Sequence, residues 1–216
     1  MKRVFGLFEV VFDIAYLFVA TILSFYLLLS SQNNYTRMLG GIMAFILVFG
    51  DSFHLIPRII VIRTSCYDKL RVALGRGKQI TSITMTFFYV LLWKIALTIY
   101  LPNNSNFLSY IISLLAAVRI FLCLMPQNKW TDLYPSLKWA KLRNIPFLLQ
   151  GMLVASIFFV YRDAVHGFEL MWLAIILSFA FYIPVVLWAH KNPKIGMLML
   201  PKTCVYVWML VMCLCL

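Results

Sequence analysis

Seven apolar runs, each near the length a helix needs to cross a bilayer, dominate the sequence and leave little chain for anything else. They fall at about 4–30, 38–62, 80–100, 107–125, 145–161, 168–189 and 195–216, and the fifth is the shortest. A hydrocarbon core of about 30 Å takes roughly twenty residues of helix. Hydrocarbon offers no partner for backbone N–H and C=O groups, so a spanning segment must satisfy them internally. Runs this long, without alternation, fit helices and not barrel strands. The expected fold class is therefore all-α, a single polytopic seven-transmembrane helix bundle over residues 1–216. With 63% of the residues hydrophobic and 12% charged, there is no room for a sizeable aqueous domain, a disordered tail or a glycine-rich nucleotide site.

Charge supplies the orientation. Lys2, Arg3, Arg58, Arg63, Lys69, Arg71, Arg76, Lys78, Lys129, Lys138, Lys141, Arg143, Lys191, Lys194 and Lys202 fall on one side of the seven crossings, and only Arg37 and Arg162 on the other. Short cytoplasmic loops carry the excess of Lys and Arg, which predicts a cytoplasmic N-terminus and a C-terminus outside. The net charge of +12 is then topology and attraction to anionic lipid, and no nucleic-acid partner is expected. Met1-Lys2-Arg3 imitates the start of a signal peptide. The run behind it continues to about Ser30, carries Glu9 and Asp13 and lacks a small-x-small cleavage site, so it reads as a retained first helix. Asn34-Tyr35-Thr36 and Asn103-Asn104-Ser105 match the N-glycosylation pattern in loops expected outside. The five cysteines, Cys66, Cys123, Cys204, Cys213 and Cys215, have no metal-site or CxxC spacing and read as packing residues.

Ionisable residues inside a span cost a few kcal/mol or more near the bilayer centre, so they are candidates for function. They gather in the expected cytoplasmic half: Glu9 and Asp13 in helix 1, Asp51 and His54 in helix 2, Arg119 in helix 4. Glu9 and Asp13 are one turn apart, and Asp51, His54 and Arg58 are spaced i, i+3, i+7, so each set shares a helix face. Thr81, Ser82, Thr84, Thr86, Gln150, Tyr182, Lys202, Thr203 and Tyr206 follow the same bias. Converging faces would make a polar pocket open to the cytoplasm and capped outward by apolar side chains. The segment 67–79, with Gly75 and Gly77, is expected as a loop over it. The same residues also fit plain roles: snorkelling at the interface, hydroxyls bonding their own helix, or a structural Asp51–Arg119 ion pair.

Asp51-Ser52-Phe53-His54-Leu55-Ile56-Pro57-Arg58 combines an acid, a base and a cation. Gly50 admits a close neighbour, and Pro57 frees a carbonyl one turn earlier that could join Asp51 and His54 around a polar ligand. A carboxylate near an imidazole raises its basicity, which suits His54 to take a proton from water or a hydroxyl. The expected catalytic residues are Asp51, His54 and Asp13, with Glu9, Arg58, Arg119, Lys202 and Tyr182 binding substrate. A three-histidine zinc site is excluded, because His166 and His190 fall at opposite ends of helix 6; a carboxylate site with His54 stays open. No Walker, Rossmann or redox motif is present, so no cofactor is expected.

The seven-helix plan resembles that of the adiponectin receptor and hemolysin III superfamily, without its three zinc histidines. Phe49-Gly50-Asp51 resembles the Gly-Asp helix motif of the lysoplasmalogenase family, membrane hydrolases that cleave the vinyl-ether bond of lysoplasmalogens. The resemblance covers about fifteen residues and implies a catalytic role for Asp51. That family has eight crossings and a second Asp in a late helix, whereas helices 6 and 7 here hold no acidic residue within the membrane. A faint internal repeat pairs Phe53-His54-Leu55-Ile56-Pro57 with Phe181-Tyr182-Ile183-Pro184, and Tyr89-Val90 with Tyr206-Val207. It would make helices 1–3 and 5–7 parallel units around helix 4.

Three readings follow: a membrane-embedded lipid hydrolase using Asp51 and His54, a proton-coupled transporter of small solutes, or a non-enzymatic sensor or partner protein. The first two share a pocket for a lipid or small amphiphilic ligand, in a multi-pass protein of the plasma membrane surrounded by membrane lipids.

Overall fold

The computed structural model describes residues 2–64, 67–100 and 105–216. Seven α-helices follow in order: α1 (Lys2–Leu29), α2 (Tyr35–Thr64), α3 (Tyr67–Tyr100), α4 (Ser105–Leu124), α5 (Leu137–Val160), α6 (Met171–Trp188) and α7 (Met199–Met212). Short 3-10 turns lie at Pro126–Asn128, Pro193–Leu198 and Cys213–Cys215. Seven spans, the last counted from Lys194 to Cys215, are long and apolar enough to cross a membrane. Each helix packs on its neighbours in sequence, α7 closes onto α1, and α3 also touches α5. Leu7, Val11, Phe18, Ile22 and Phe25 of α1 face outward, as lipid-facing side chains must.

Two expected boundaries move. The segment 67–79 is no loop: it forms the first turns of α3. Its glycines serve packing, since a Cβ on Gly75 would strike the Trp130 carbonyl and one on Gly77 the backbone of Phe53 and His54. The fifth helix is not the shortest. It starts at Leu137, where the Ser136 side chain accepts from the Trp139 N–H at 3.5 Å, and continues through Pro146 to 24 residues. The shortest α-helix is α7, at 14 residues, because Pro193 opens a 3-10 stretch before it.

The loop between α4 and α5 is tightly built. Asn128, fully buried, donates from Nδ2 to the carbonyls of Leu122 and Met125 at 2.6 and 2.8 Å, closing the end of α4. Its Oδ1 accepts from Arg143 at 2.7 Å, and that guanidinium lies 4.0 Å above the Trp130 ring. At the other end, Asn34, exposed, caps α2 through the Arg37 N–H and donates to the Leu216 carbonyl, so both ends of this acceptor-pattern amide are hydrogen-bonded. Asn103 and Asn104, like Cys66, lie outside the described residues.

The interior is aromatic. Tyr89 of α3 meets Phe147 and Phe179 edge-on or tilted at 5.2 and 5.4 Å, and Phe88 meets Tyr206 at 5.7 Å. Gly151 of α5 leaves room for the Phe179 ring, where any Cβ would collide.

Candidate functional site

On α1, Glu9, Asp13 and Tyr16 recur at i, i+4, i+7 and form one stripe; on α2, Asp51, His54, Leu55 and Arg58 form another. The two stripes face the start of α7, and between them lies a cavity of about 180 Å³. Glu9, Asp13, Asp51, His54, Arg58 and Lys202 all line it, with Thr81 of α3, Thr203 and Tyr206. Six of the eight residues expected at the site thus come together from three separate segments. Exposed Phe8 of α1 and Met197 of the 3-10 turn also line it, so apolar side chains rim its mouth.

Each charged group has a distinct environment. Arg58 and Glu9 form an ion pair. Tyr16, 4% exposed, donates to Asp51 Oδ2 at 2.7 Å, an ordinary O–H···O length. Lys202 lies in the field of Asp51 without closing a direct pair, and its ammonium sits 4.4 Å from the Tyr182 ring centre and 5.0 Å from that of Tyr206. Cations over tyrosine faces at such distances are stabilised by the ring quadrupole. Asp13 is 4% exposed, and its Oδ2 takes no hydrogen bond from any described residue. His54 Nδ1 is likewise unpartnered, so Asp51 bonds to Tyr16 and does not orient the imidazole.

Close packing of α2 on α3 fixes this arrangement. A Cβ on Gly50 would overlap Thr84, while Thr81 Oγ1 donates to the Gly50 carbonyl at 2.8 Å. The carbonyl freed by Pro57 is that of Phe53, and it faces Gly77 of α3, not the cavity as the sequence suggested. Thr84 and Thr86 spend their hydroxyls on carbonyls of their own helix, and with Ser82 and Gln150 they stay off the cavity wall.

Arg119 and Tyr182 do not line the cavity. Arg119, 2% exposed, stacks its guanidinium 3.2 Å above Phe147, and its Nε and Nη1 have no partner among the described residues. The Asp51–Arg119 pair is not formed; the groups acting on Arg119 are Tyr182, Cys123, Tyr206 and Tyr89. Tyr182 donates to Asn144 Oδ1 at 3.0 Å and lines an apolar crevice between α5 and α6. Among the described residues no group of three or more His, Cys, Asp or Glu is placed to hold a metal ion, and His166 pairs with Glu169 at the opposite end of the bundle. Tyr16 was the residue sequence reasoning missed, although its i+3 spacing from Asp13 was the signal for it.

Chemically, the cavity offers carboxylates, one imidazole and two cations behind an apolar rim. Comparison with protein-family models, curated proteins and solved structures finds no match to this chain.

Proposed function

We propose that this multi-pass membrane protein binds an amphiphilic ligand in the cavity between α1, α2 and the start of α7, and acts on it as a membrane-embedded hydrolase. The convergence of Glu9, Asp13, Asp51, His54, Arg58 and Lys202 on one cavity carries the reading. Placing so many ionisable groups within helical spans, Asp13 and Lys202 among them buried, is costly, and a ligand gives that cost a use. The apolar rim of Phe8 and Met197 suits a head group whose chain remains in lipid. In this reading the N-terminus and the cavity face the cytoplasm, following the Lys and Arg distribution, at the plasma membrane. The repeat of helices 1–3 and 5–7 belongs to the same proposal.

For hydrolysis, the His54 imidazole takes a proton from water as the water oxygen bonds to the substrate, the bond to the departing oxygen breaks, and a protonated carboxyl, Asp51 or Asp13, delivers that oxygen its proton. The Gly-Asp resemblance to lysoplasmalogenases supports Asp51 in that role. Transport would need a polar route past the packed rings of Phe88, Tyr89, Phe147 and Tyr206, so we favour chemistry or binding at one face.

Mass spectrometry of proteoliposomes holding wild type or Asp51→Asn, given a pool of lysolipids, plasmalogens and neutral amphiphiles, tests this. Product from wild type alone is the expected result. A molecule retained by wild type and lost by the variant, without product, would leave binding and remove hydrolysis. Neither product nor retained molecule would overturn the reading.

A further inference from the structure

The crevice between α5 and α6 is built differently from the cavity, and the two share no lining residue. About 180 Å³ in volume, it opens on the outer face of the bundle: exposed Ile145 belongs to its rim, and exposed Leu149 and Met152 continue the same face of α5. Buried Phe147 and Phe179 form its floor. Pro146 and Pro184 lie at this level of the two helices, and a proline ring, pushing off the carbonyl one turn earlier, hinders flush packing. The polar side chains along the crevice turn away from it. The Tyr182 hydroxyl donates to Asn144 Oδ1 at 3.0 Å and Asn144 Nδ2 to the Ala140 carbonyl at 2.7 Å, so these groups are occupied. Lys141 lends the wall its aliphatic stem and holds its ammonium outside.

The charges around the crevice have one sign. Neither α5 nor α6 holds an acidic residue. Lys138 and Lys141, exposed and one turn apart on α5, make no hydrogen bond or ion pair with any described residue. Behind the floor, buried Arg119 stacks on Phe147, and no carboxylate is among the groups acting on it. An apolar slot beside unpaired cations suits an apolar chain that carries an anion at one end. Trp139 of α5 and exposed Trp188 of α6 flank the charged end, and tryptophan gathers where acyl chains meet head groups, so the Lys141 ammonium stands at head-group level. We propose that one acyl chain of an anionic glycerophospholipid seats in the crevice between α5 and α6, with its phosphate on the Lys141 ammonium. This site goes beyond the hydrolase reading and does not depend on the chemistry of the other cavity.

The test is native mass spectrometry of the full chain, released from detergent micelles that hold equal amounts of dioleoyl phosphatidylglycerol and dioleoyl phosphatidylcholine, with oleate added in a second series. The two lipids share their chains, so a difference between them reads the head group. The first lipid retained per chain is expected to be phosphatidylglycerol, preferred about fivefold or more, as one cation near a membrane surface gives. Lys141→Gln should remove most of that preference, and Lys69→Gln, which takes an exposed cation from α3, should keep it. Val186→Trp fills the crevice and should cut retention of phosphatidylglycerol at least fivefold. The Lys141→Gln comparison stands by itself if the tryptophan variant does not fold. Equal retention of the two lipids by wild type, an unchanged preference in Lys141→Gln, or unchanged retention in a folded Val186→Trp would overturn the proposal. Oleate displacing phosphatidylglycerol at equal concentration would also overturn it and name a free fatty acid as the occupant. A dimer that Val186→Trp dissociates would overturn it in favour of a second copy of the chain.

Discussion

Replacing Gly77 by alanine should loosen the seam that holds His54 in place. A Cβ there would sit 2.8 Å from His54 Cα and 2.7 Å from the Phe53 carbonyl carbon, with the carbonyl oxygen closer still. Ordinary contact begins at 3.4 Å, and because every obstacle is backbone, no side chain can rotate away. Moving the carbonyl oxygen from 2.2 Å out to 3.4 Å means that the two helices must part locally by about 1.2 Å along their most extensive interface. Overpacking of this kind costs about 1–3 kcal/mol. Three backbone obstacles place this site at the upper end of that range, and alanine returns about 1 kcal/mol of helix propensity, leaving a net loss of about 2 kcal/mol. By the usual scaling for chains of this size, that is a fall in melting temperature of roughly 4–8 °C, followed by tryptophan fluorescence in detergent. Gly196→Ala is the control, since nothing lies within 4 Å of its Cβ, and it should melt with wild type. A Gly77→Ala protein as stable as wild type, or a matching drop in Gly196→Ala, would refute the reasoning.

Arg119→Met should be tolerated, within about 1 kcal/mol of wild type or more stable, because a buried cation without a carboxylate gives up little when an apolar group of similar length replaces it; a loss above about 3 kcal/mol in detergent unfolding would show that the guanidinium is essential to packing. Asn128→Ala should cost about 2–4 kcal/mol in the same assay, as it strands the Leu122 and Met125 carbonyls and an Arg143 donor. At the opposite end, the Glu169 backbone N–H and that of Gly167, with His166 beside them, hold the Glu169 carboxyl below its ordinary value of 4.5. A carboxyl depressed on folding contributes stability above its unfolded value and loses it as pH falls through the lower folded one. Protection of the Gly167 amide from hydrogen exchange, corrected for intrinsic rates, should therefore fall below pH 4.5, and Glu169→Gln should remove that pH dependence.

The length of the apolar runs and their scarcity of charge made all seven spans legible, because hydrocarbon permits so few alternatives. The polar helix ends were not. Tyr67 to Gln79 carries too many charges for a hydropathy reading, and its two glycines imitate a loop, yet Asp68 in the first turn and apolar Leu70 and Leu74 one turn apart were helix signals. The stripes of α1 and α2 were readable because ionisable side chains at i, i+3, i+4 and i+7 share a face whatever the neighbours do. Arg119 was not, since spacing on one helix does not say which partner lies opposite. Only the packed bundle shows that its guanidinium stacks on Phe147 and stays off the cavity wall.

The great length of α2 and α3 bears on how the bundle sits in a bilayer. At about 1.5 Å per residue they reach roughly 45 and 51 Å, well beyond a hydrocarbon core of about 30 Å. The surplus lies where α3 carries Lys69, Arg71, Arg76 and Lys78, at the same end as the cavity. Charged turns resist being drawn into hydrocarbon, and the far ends of α2 and α3 carry only one cation each, Arg37 and Lys94. A change in membrane thickness is then taken up by tilt and at the far surface. The cavity, lying at the heavily charged end, is then the part of the bundle whose depth beneath the lipid phosphates changes least.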